Sequence, residues 1–151
     1  MLAKKNKFLV ICLLILISPA VYPAELDAYQ SFLQKGWQER QNKKYSNAIS
    51  AYQKAISLND EGADGYIGLL WTYIEKKDFD LAEKLADKII KKFSDNLWIR
   101  KGAAWTYYNK GRFEDAAKNY KFVLKESGED KEIRIGLILS LYKQGDAVLA
   151  K

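Results

Sequence analysis

Three tryptophans at one fixed interval are the side chains in this sequence with the clearest capacity for molecular recognition. Trp37, Trp71 and Trp105 recur at i, i+34 and i+68. An indole ring offers a flat apolar face and one N–H donor, so it can stack on a ligand and also donate a hydrogen bond. The chemistry that this spacing suggests is repeated, non-covalent binding.

The residue types that most often catalyse reactions or bind metals are nearly absent. The sequence contains no histidine, and its single cysteine, Cys12, lies in an apolar run near the N-terminus. Proton shuttling, zinc binding and thiolate chemistry therefore lack their usual residues. Aspartates and glutamates are common, but most are spaced i, i+4 from lysines, as on exposed helix faces. We expect no enzymatic activity, no metal site and no cofactor.

The first 24 residues have the layout of a secretory signal peptide. Three lysines precede an unbroken apolar run from Phe8 to Ile17, and small or turn-forming residues follow as far as Ala24. This run is about half the roughly 20 residues that cross a membrane as a helix. Cleavage is expected after Ala24 or, because Tyr22 is bulky, after Ala20; an uncleaved membrane anchor is the alternative. The segment predicts an exported protein, either periplasmic or secreted.

The net charge gives little reason to expect nucleic-acid binding. Because the predicted signal peptide contains three lysines and no acid, its removal lowers the formal charge from +6 to about +3. Lysine pairs occur elsewhere near predicted helix ends, where solvated cations are ordinary. No basic stripe is present, so nucleic acid is excluded from the expected partners.

An internal repeat identifies the elements that must position the tryptophans. The same interval of 34 positions relates units 29–62, 63–96 and 97–130, and a partial fourth unit covers 131–151. No proline after Pro23 interrupts the pattern. Besides the tryptophans, the repeated columns are Tyr45, Phe79, Phe113 and Ala147; Ala48, Ala82, Ala116 and Ala150; and Tyr52, Ala86 and Tyr120.

Each unit is predicted to contain two helices joined by a tight turn. In the second unit, the first helix has apolar residues at i, i+3, i+4 and i+7, and Asp80 is available to cap the second helix. The alanine column lets paired helices approach closely. We expect seven long helices and no sheet between Leu26 and Tyr142, in an all-α fold.

These columns resemble the tetratricopeptide repeat family over nearly the whole predicted domain, 25–151. The matching residues are the small Gly36 and Ala104, Tyr73 and Tyr107 one turn later, the turn glycines Gly111 and Gly145, and the Tyr/Phe-x-x-Ala starts of the second helices. Two features depart from the family: Leu70 is large where a small residue is usual, and Asp60, Ser94 and Gly128 replace a closing proline. The resemblance implies a right-handed α-solenoid whose first helices line a concave groove.

The tryptophan column is predicted to lie on a second face of the first helices. At 100° per residue, Trp37 points about 150° away from the stripe that faces the paired helix. The residues predicted to line a partner-binding groove are Leu33, Trp37, Arg40, Ile67, Trp71, Ile74, Trp98, Lys101, Trp105, Tyr108 and Tyr142. The alternative is that the tryptophans only pack between neighbouring first helices.

The leading hypothesis is an exported scaffold that binds a protein or peptide in this groove. A glycan-contacting module of a polysaccharide-secretion or outer-membrane system is the alternative, because the apolar faces of sugars stack on aromatic rings. The last predicted first-type helix, from Lys131 to Lys143, is apolar around much of its circumference. This predicts either the N-terminal part of a larger protein or a surface that another molecule covers.

Overall fold

Helices account for nearly all of the residues that the computed structural model describes, which are 21–128 and 130–149. In chain order they are α1 (Val21–Gln41), α2 (Tyr45–Leu58), α3 (Ala63–Glu75), α4 (Phe79–Lys92), α5 (Leu97–Asn109), α6 (Phe113–Ser127) and α7 (Lys131–Leu149). No strand occurs in these ranges, which confirms the predicted all-α repeat fold. Residues 1–20 of the predicted signal peptide lie outside this range, as do Ala150 and Lys151.

The helices form a solenoid of stacked helix–turn–helix units. Each helix packs against the next one along the chain, and each first helix also packs against the first helix of the following unit. The first helices α1, α3, α5 and α7 therefore lie side by side, and the second helices α2, α4 and α6 cover their other side. None of the described helices is long and apolar enough to cross a membrane.

One backbone turn joins the two helices of every complete unit. Lys43, Lys77 and Gly111 occupy the same repeat position and have φ angles of 59°, 63° and 75°. In each case the N–H of the next residue donates to the carbonyl five positions earlier, at 2.8 or 2.9 Å. This closure satisfies carbonyl groups at the end of the first helix. Two of the three turns therefore hold a lysine in a conformation that favours glycine.

The N-cap of α4 is Asp78, so the prediction of Asp80 was wrong. The Asp78 carboxylate accepts a hydrogen bond from the Leu81 N–H at 3.5 Å. Because α4 begins at Phe79, only the preceding residue can turn its side chain back to the free N–H groups of the first turn. Asp80 instead forms an ion pair with Lys110, on the turn of the next unit.

Helix α7 continues past the turn predicted at Gly145. The backbone stays helical to Leu149, so Ala147 lies within α7 rather than at the start of another helix. Within a continuous helix, the interior backbone N–H and C=O groups pair with one another. A turn at Gly145 would interrupt those bonds.

A glycine column controls how closely successive units pack. Gly68, Gly102 and Gly136 occupy one repeat position, and a Cβ atom added to them would clash with Tyr52, Leu70 and Tyr120, respectively. Each glycine thus makes room for one large side chain of the core. Leu70 departs from the family pattern because it is large where a small residue is usual. Its side chain fills the space that Tyr52 and Tyr120 fill in the neighbouring units. In the unit of Leu70, the tyrosine column holds the small Ala86 instead.

A column of buried hydroxyls lies beside these glycines. Thr72, Thr106 and Ser140 are completely buried, and their hydroxyls donate to the carbonyls of the glycines four residues earlier, at 2.6, 2.8 and 2.7 Å. These bonds satisfy polar groups that have no access to water. The repeat therefore includes more columns than the four that were predicted from the sequence.

The outer side of α7 lacks the cover that the earlier first helices have. Ile138 and Leu141 are 59% and 42% exposed. The residues one repeat before them, Ala104 and Tyr107, are buried. In units two and three these positions lie beneath α4 and α6, and no described helix takes that place over α7.

The turn lysines predict an increase in stability on substitution by glycine. We expect Lys77→Gly to raise the free energy of unfolding by about 0.5–1 kcal/mol, since glycine adopts positive φ without a Cβ clash. Lys43→Gly should act in the same direction. Lys76→Gly is the control, because Lys76 has a right-handed helical conformation, and it should destabilise the chain. Urea denaturation followed by circular dichroism measures all three, and a loss of stability in Lys77→Gly would contradict this account.

Equivalent positions of the repeat should also differ in their tolerance to truncation. Leu70→Ala should lower the free energy of unfolding by about 3 kcal/mol or more, because it opens a cavity beside Gly102. Ile138 lies two repeats after Leu70, on the exposed side of α7. Ile138→Ala should therefore lower the free energy of unfolding by less than about 1 kcal/mol. Thermal denaturation of both variants tests this difference. Equal losses would show that α7 is covered in solution.

Candidate partner-binding groove

An open groove lies across the first helices on the side away from the second helices. Its volume is about 520 Å³, within the range of pockets that hold small ligands. We use "the groove" for the surface lined by Leu33, Trp37, Arg40, Tyr52, Asp64, Ile67, Gly68, Trp71, Glu75, Trp98, Lys101 and Glu132. Helices α1, α3, α5 and α7 all contribute, so no single unit could form it.

Seven of the predicted site residues come together in this groove: Leu33, Trp37, Arg40, Ile67, Trp71, Trp98 and Lys101. Trp105 lines a smaller adjoining cavity of about 210 Å³, which Trp71 also lines. Trp71 therefore stands between the two cavities. All four tryptophans of the sequence belong to this surface.

Three predicted residues lie outside both cavities. Ile74 is buried, and its Cδ1 atom would lie 3.6 Å from a Cβ at Gly102, so it does not line the open groove. The glycine lets α5 approach α3 closely and cover that side of the helix. Tyr108 is half-buried with its ring against Trp105 and Phe113. Tyr142 is exposed on α7 but does not line the groove.

The tryptophans differ in exposure although three of them share one repeat position. Trp37, Trp98 and Trp105 are 54%, 61% and 46% exposed. Trp71, in the middle of the array, is partly buried and packs against the core. Large exposed apolar side chains grouped on one surface are unusual on soluble proteins and typically mark interaction sites. Packing between neighbouring helices buries much of the Trp71 side chain, but it leaves the other three tryptophans exposed.

Both cations of the groove are paired with carboxylates. Arg40 contacts Glu75 at 3.3 Å, and its side chain is only 17% exposed. Lys101 lies between Asp130 and Glu132, with N–O distances of 3.6 and 3.7 Å. Arg40, which the sequence predicted as a groove residue, therefore forms an ion pair between α1 and α3.

Two donors on the groove wall have no acceptor among the residues that the structure describes. The Nε of Arg40 and the indole Nε1 of Trp71 are buried from solvent and form no hydrogen bond with any of these residues. A buried donor without a partner costs about 1–3 kcal/mol. Tyr52, by contrast, stays neutral: burial raises the pKa of its phenol, and Glu75 adds to the rise while Arg40 opposes it.

The sequence did not indicate Tyr52, Asp64, Gly68 or Glu132 as groove residues. Tyr52 belongs to a second helix and reaches the groove beside Gly68, whose missing side chain leaves a gap. Asp64 and Glu132 lie in the first turns of α3 and α7. The glycine column was the one available signal, because a glycine at a fixed repeat position marks a close approach. Within the described residues, no group of three or more acidic, histidine or cysteine side chains could hold a metal ion.

Comparison of the sequence with protein families gives two matches. Residues 39–98 match one model described as tetratricopeptide repeat, and residues 102–150 match a second model with the same description. Together the two segments include six of the seven helices, in whole or in large part. No curated protein sequence matches the chain.

Solved structures with the same architecture are tetratricopeptide repeat domains of low sequence identity. The Arabidopsis OM64 domain is 19% identical with a TM-score of 0.72, over 78% of this chain and 98% of that one. The first such domain of human RPAP3 is 17% identical with a TM-score of 0.74, over 82% and 97%. The first domain of Spaghetti (RPAP3), solved with the HSP90 peptide SRMEEVD, is 18% identical with a TM-score of 0.72, over 83% and 95%. At these identities the similarity concerns the fold.

The different burial of the tryptophans predicts different effects on stability. Trp71→Ala should lower the free energy of unfolding by about 2–3 kcal/mol, because the ring packs against the core. Trp98→Ala should change it by no more than about 0.5 kcal/mol. Urea denaturation followed by far-ultraviolet circular dichroism measures both without relying on the substituted fluorophore. Equal costs would show that Trp98 is as buried in solution as Trp71.

Proposed function

Because this chain belongs to the tetratricopeptide repeat family, we propose that it is an exported, non-catalytic scaffold that binds a peptide segment of a partner protein in the groove. The observation that carries the proposal is the exposure of Trp37 and Trp98, which both line the groove of about 520 Å³. Apolar side chains in this arrangement lose water when a ligand covers them, which favours binding by about 25 cal/mol per Å² buried.

The shape of the groove supports a peptide as the ligand. It crosses four helices, and an extended or helical peptide can run along such a surface with successive side chains in contact. Peptide binding also occurs on this fold, since the Spaghetti (RPAP3) domain was solved with an HSP90 peptide. Because the sequence identity to that domain is only 18%, the ligand of this chain has to be inferred from its own side chains.

The non-catalytic part of the proposal rests on the groove chemistry. The sequence has no histidine, and the cysteine lies in the predicted signal peptide. The carboxylates Glu75 and Glu132 are held in ion pairs with cations, whereas a general acid must carry a proton that it can donate. The groove thus offers apolar contact and a few hydrogen bonds, which are the means of a binding site.

Selection from a random peptide library displayed on phage tests the proposed site. Peptides that bind the chain should quench or shift its tryptophan fluorescence, because all four tryptophans line the groove or the adjoining cavity. Trp37→Ala combined with Trp98→Ala should weaken binding by about 2 kcal/mol or more, as for central aromatic contacts.

The control for this experiment is Leu81→Ala. Leu81 is also an exposed apolar residue, but it lies on the second helix α4, away from the groove, so its truncation should leave affinity unchanged. Peptides that bind the double tryptophan variant as well as the wild type would refute the site. Binding of oligosaccharides in place of peptides, with the same fluorescence response, would favour the glycan-contacting alternative.

Export is proposed from the N-terminal segment. Lysines followed by the apolar run 8–17 and small residues up to Ala24 are the pattern of a cleaved signal peptide. Mass spectrometry of the protein from expressing cells should find a mature N-terminus at Val21 or Glu25, outside the cytoplasm. An intact Met1 on cytoplasmic protein would contradict export.

A further inference from the structure

We infer that the groove selects an apolar, uncharged peptide segment with aromatic side chains and discriminates against acidic peptides. This inference rests on the function proposed above and specifies the chemistry of its ligand. It follows from three features of the groove: the state of its cations, the balance of its charges and the nature of its walls.

The cations of the groove already have carboxylate partners. Arg40 is held by Glu75, and Lys101 is held by Asp130 and Glu132. A ligand carboxylate would have to displace a resident carboxylate from each cation, and the displaced group would lose its own partner. Exchange of one carboxylate for another gives little net gain, and the ligand must also be desolvated.

The charge balance of the lining opposes acidic ligands further. Three carboxylates, those of Asp64, Glu75 and Glu132, line the groove together with two cations. Asp130, which holds Lys101 from outside the lining, adds a fourth negative charge nearby. Like charges brought together at an interface weaken association and exclude the wrong partners. An uncharged segment meets no such penalty.

The walls between these charges suit aromatic and aliphatic side chains. Leu33 and Trp37 line the groove from α1, Ile67 and Trp71 from α3, and Trp98 from α5. Aromatic pairs in offset or edge-to-face contact gain energy beyond the area that they bury. A ligand aromatic ring can therefore stack where a carboxylate would find no free cation.

A peptide backbone can also satisfy a donor that the free groove leaves unpaired. The N–H of Trp71 has no acceptor among the described residues, and the residue lines both the groove and the adjoining cavity. A ligand carbonyl that reaches this N–H would accept its hydrogen bond. Peptide carbonyls are neutral acceptors, so this contact requires no charge on the ligand.

The composition and salt response of selected peptides test this inference. Library peptides enriched on the chain should be rich in aromatic residues and poor in Asp and Glu. Their dissociation constants should change less than about twofold between about 50 mM and 500 mM salt, because no new ion pair forms. The acidic peptide SRMEEVD should bind at least about tenfold more weakly.

Two variants examine the physical causes separately. Trp71→Phe keeps a ring but removes the indole N–H, so it should weaken binding about three- to tenfold while the unfolding midpoint changes little. Glu75→Gln with Glu132→Gln removes the carboxylate partner of Arg40 and one of the two carboxylate partners of Lys101, so it should strengthen SRMEEVD binding at least about fivefold. Glu83→Gln, in the ion-pair cluster with Lys110 and Arg112 away from the groove, is the matched control and should have no effect.

The possible failures are distinguishable. Enrichment of acidic peptides whose binding is lost in Lys101→Ala and weakens sharply with salt would overturn the inference and leave the proposed peptide site intact. Failure of the double glutamine variant to gain affinity for SRMEEVD would contradict the role of the paired cations. Enrichment of no peptide over the Trp37→Ala, Trp98→Ala variant would refute the proposed function itself.

Discussion

Close packing of one large side chain against one glycine sets the distance between successive units of this solenoid. Tyr52, Leu70 and Tyr120 lie where a Cβ atom at Gly68, Gly102 or Gly136 would have to be. A helix–turn–helix unit cannot bury its apolar face alone, so its stability depends on this contact with its neighbour. A side chain at any of the glycines would force the helices apart and open the core, with costs like those of overpacking.

This contact also determines the surface that remains open. When the second helices cover one side of α1, α3 and α5, the opposite side of these helices is left facing solvent. The repeat period then brings the tryptophans of several units onto that side, where three of the four are about half exposed or more. The groove is therefore a consequence of stacking, and its walls come from residues that are far apart along the chain.

Ion pairs hold the groove and the opposite surface in different ways. On the far side, Arg112 contacts Glu83, Asp87 and Asp115, and Tyr107 donates to Asp87 at 2.8 Å. Burial, together with this carboxylate, raises the pKa of Tyr107. In the groove, the ion pairs of Arg40 and Lys101 join neighbouring first helices and at the same time neutralise the cations. The same type of interaction thus supports the fold on one surface and, in our proposal, limits the choice of ligand on the other.

The sequence by itself determined the parts of this protein that depend on local periodicity. Helix starts at Tyr45, Phe79 and Phe113 follow from a repeated aromatic column, because helix initiation depends on neighbouring residues in the chain. The placement of Leu33, Trp37 and Ile67 on one surface follows from 100° per residue and a fixed repeat length. Export stays a prediction, since residues 1–20 lie outside the described range.

Only the tertiary structure decided which of these residues are open, paired or buried. Trp37 and Trp71 occupy the same repeat position, yet one is exposed and the other packs against the core, because burial depends on neighbouring helices. Ile74 is covered because Gly102 lets α5 approach, and Arg40 is paired because α3 brings Glu75 within 3.3 Å. A repeat period specifies which residues share a face, but contacts between units set their exposure and charge, since those contacts join residues distant in sequence.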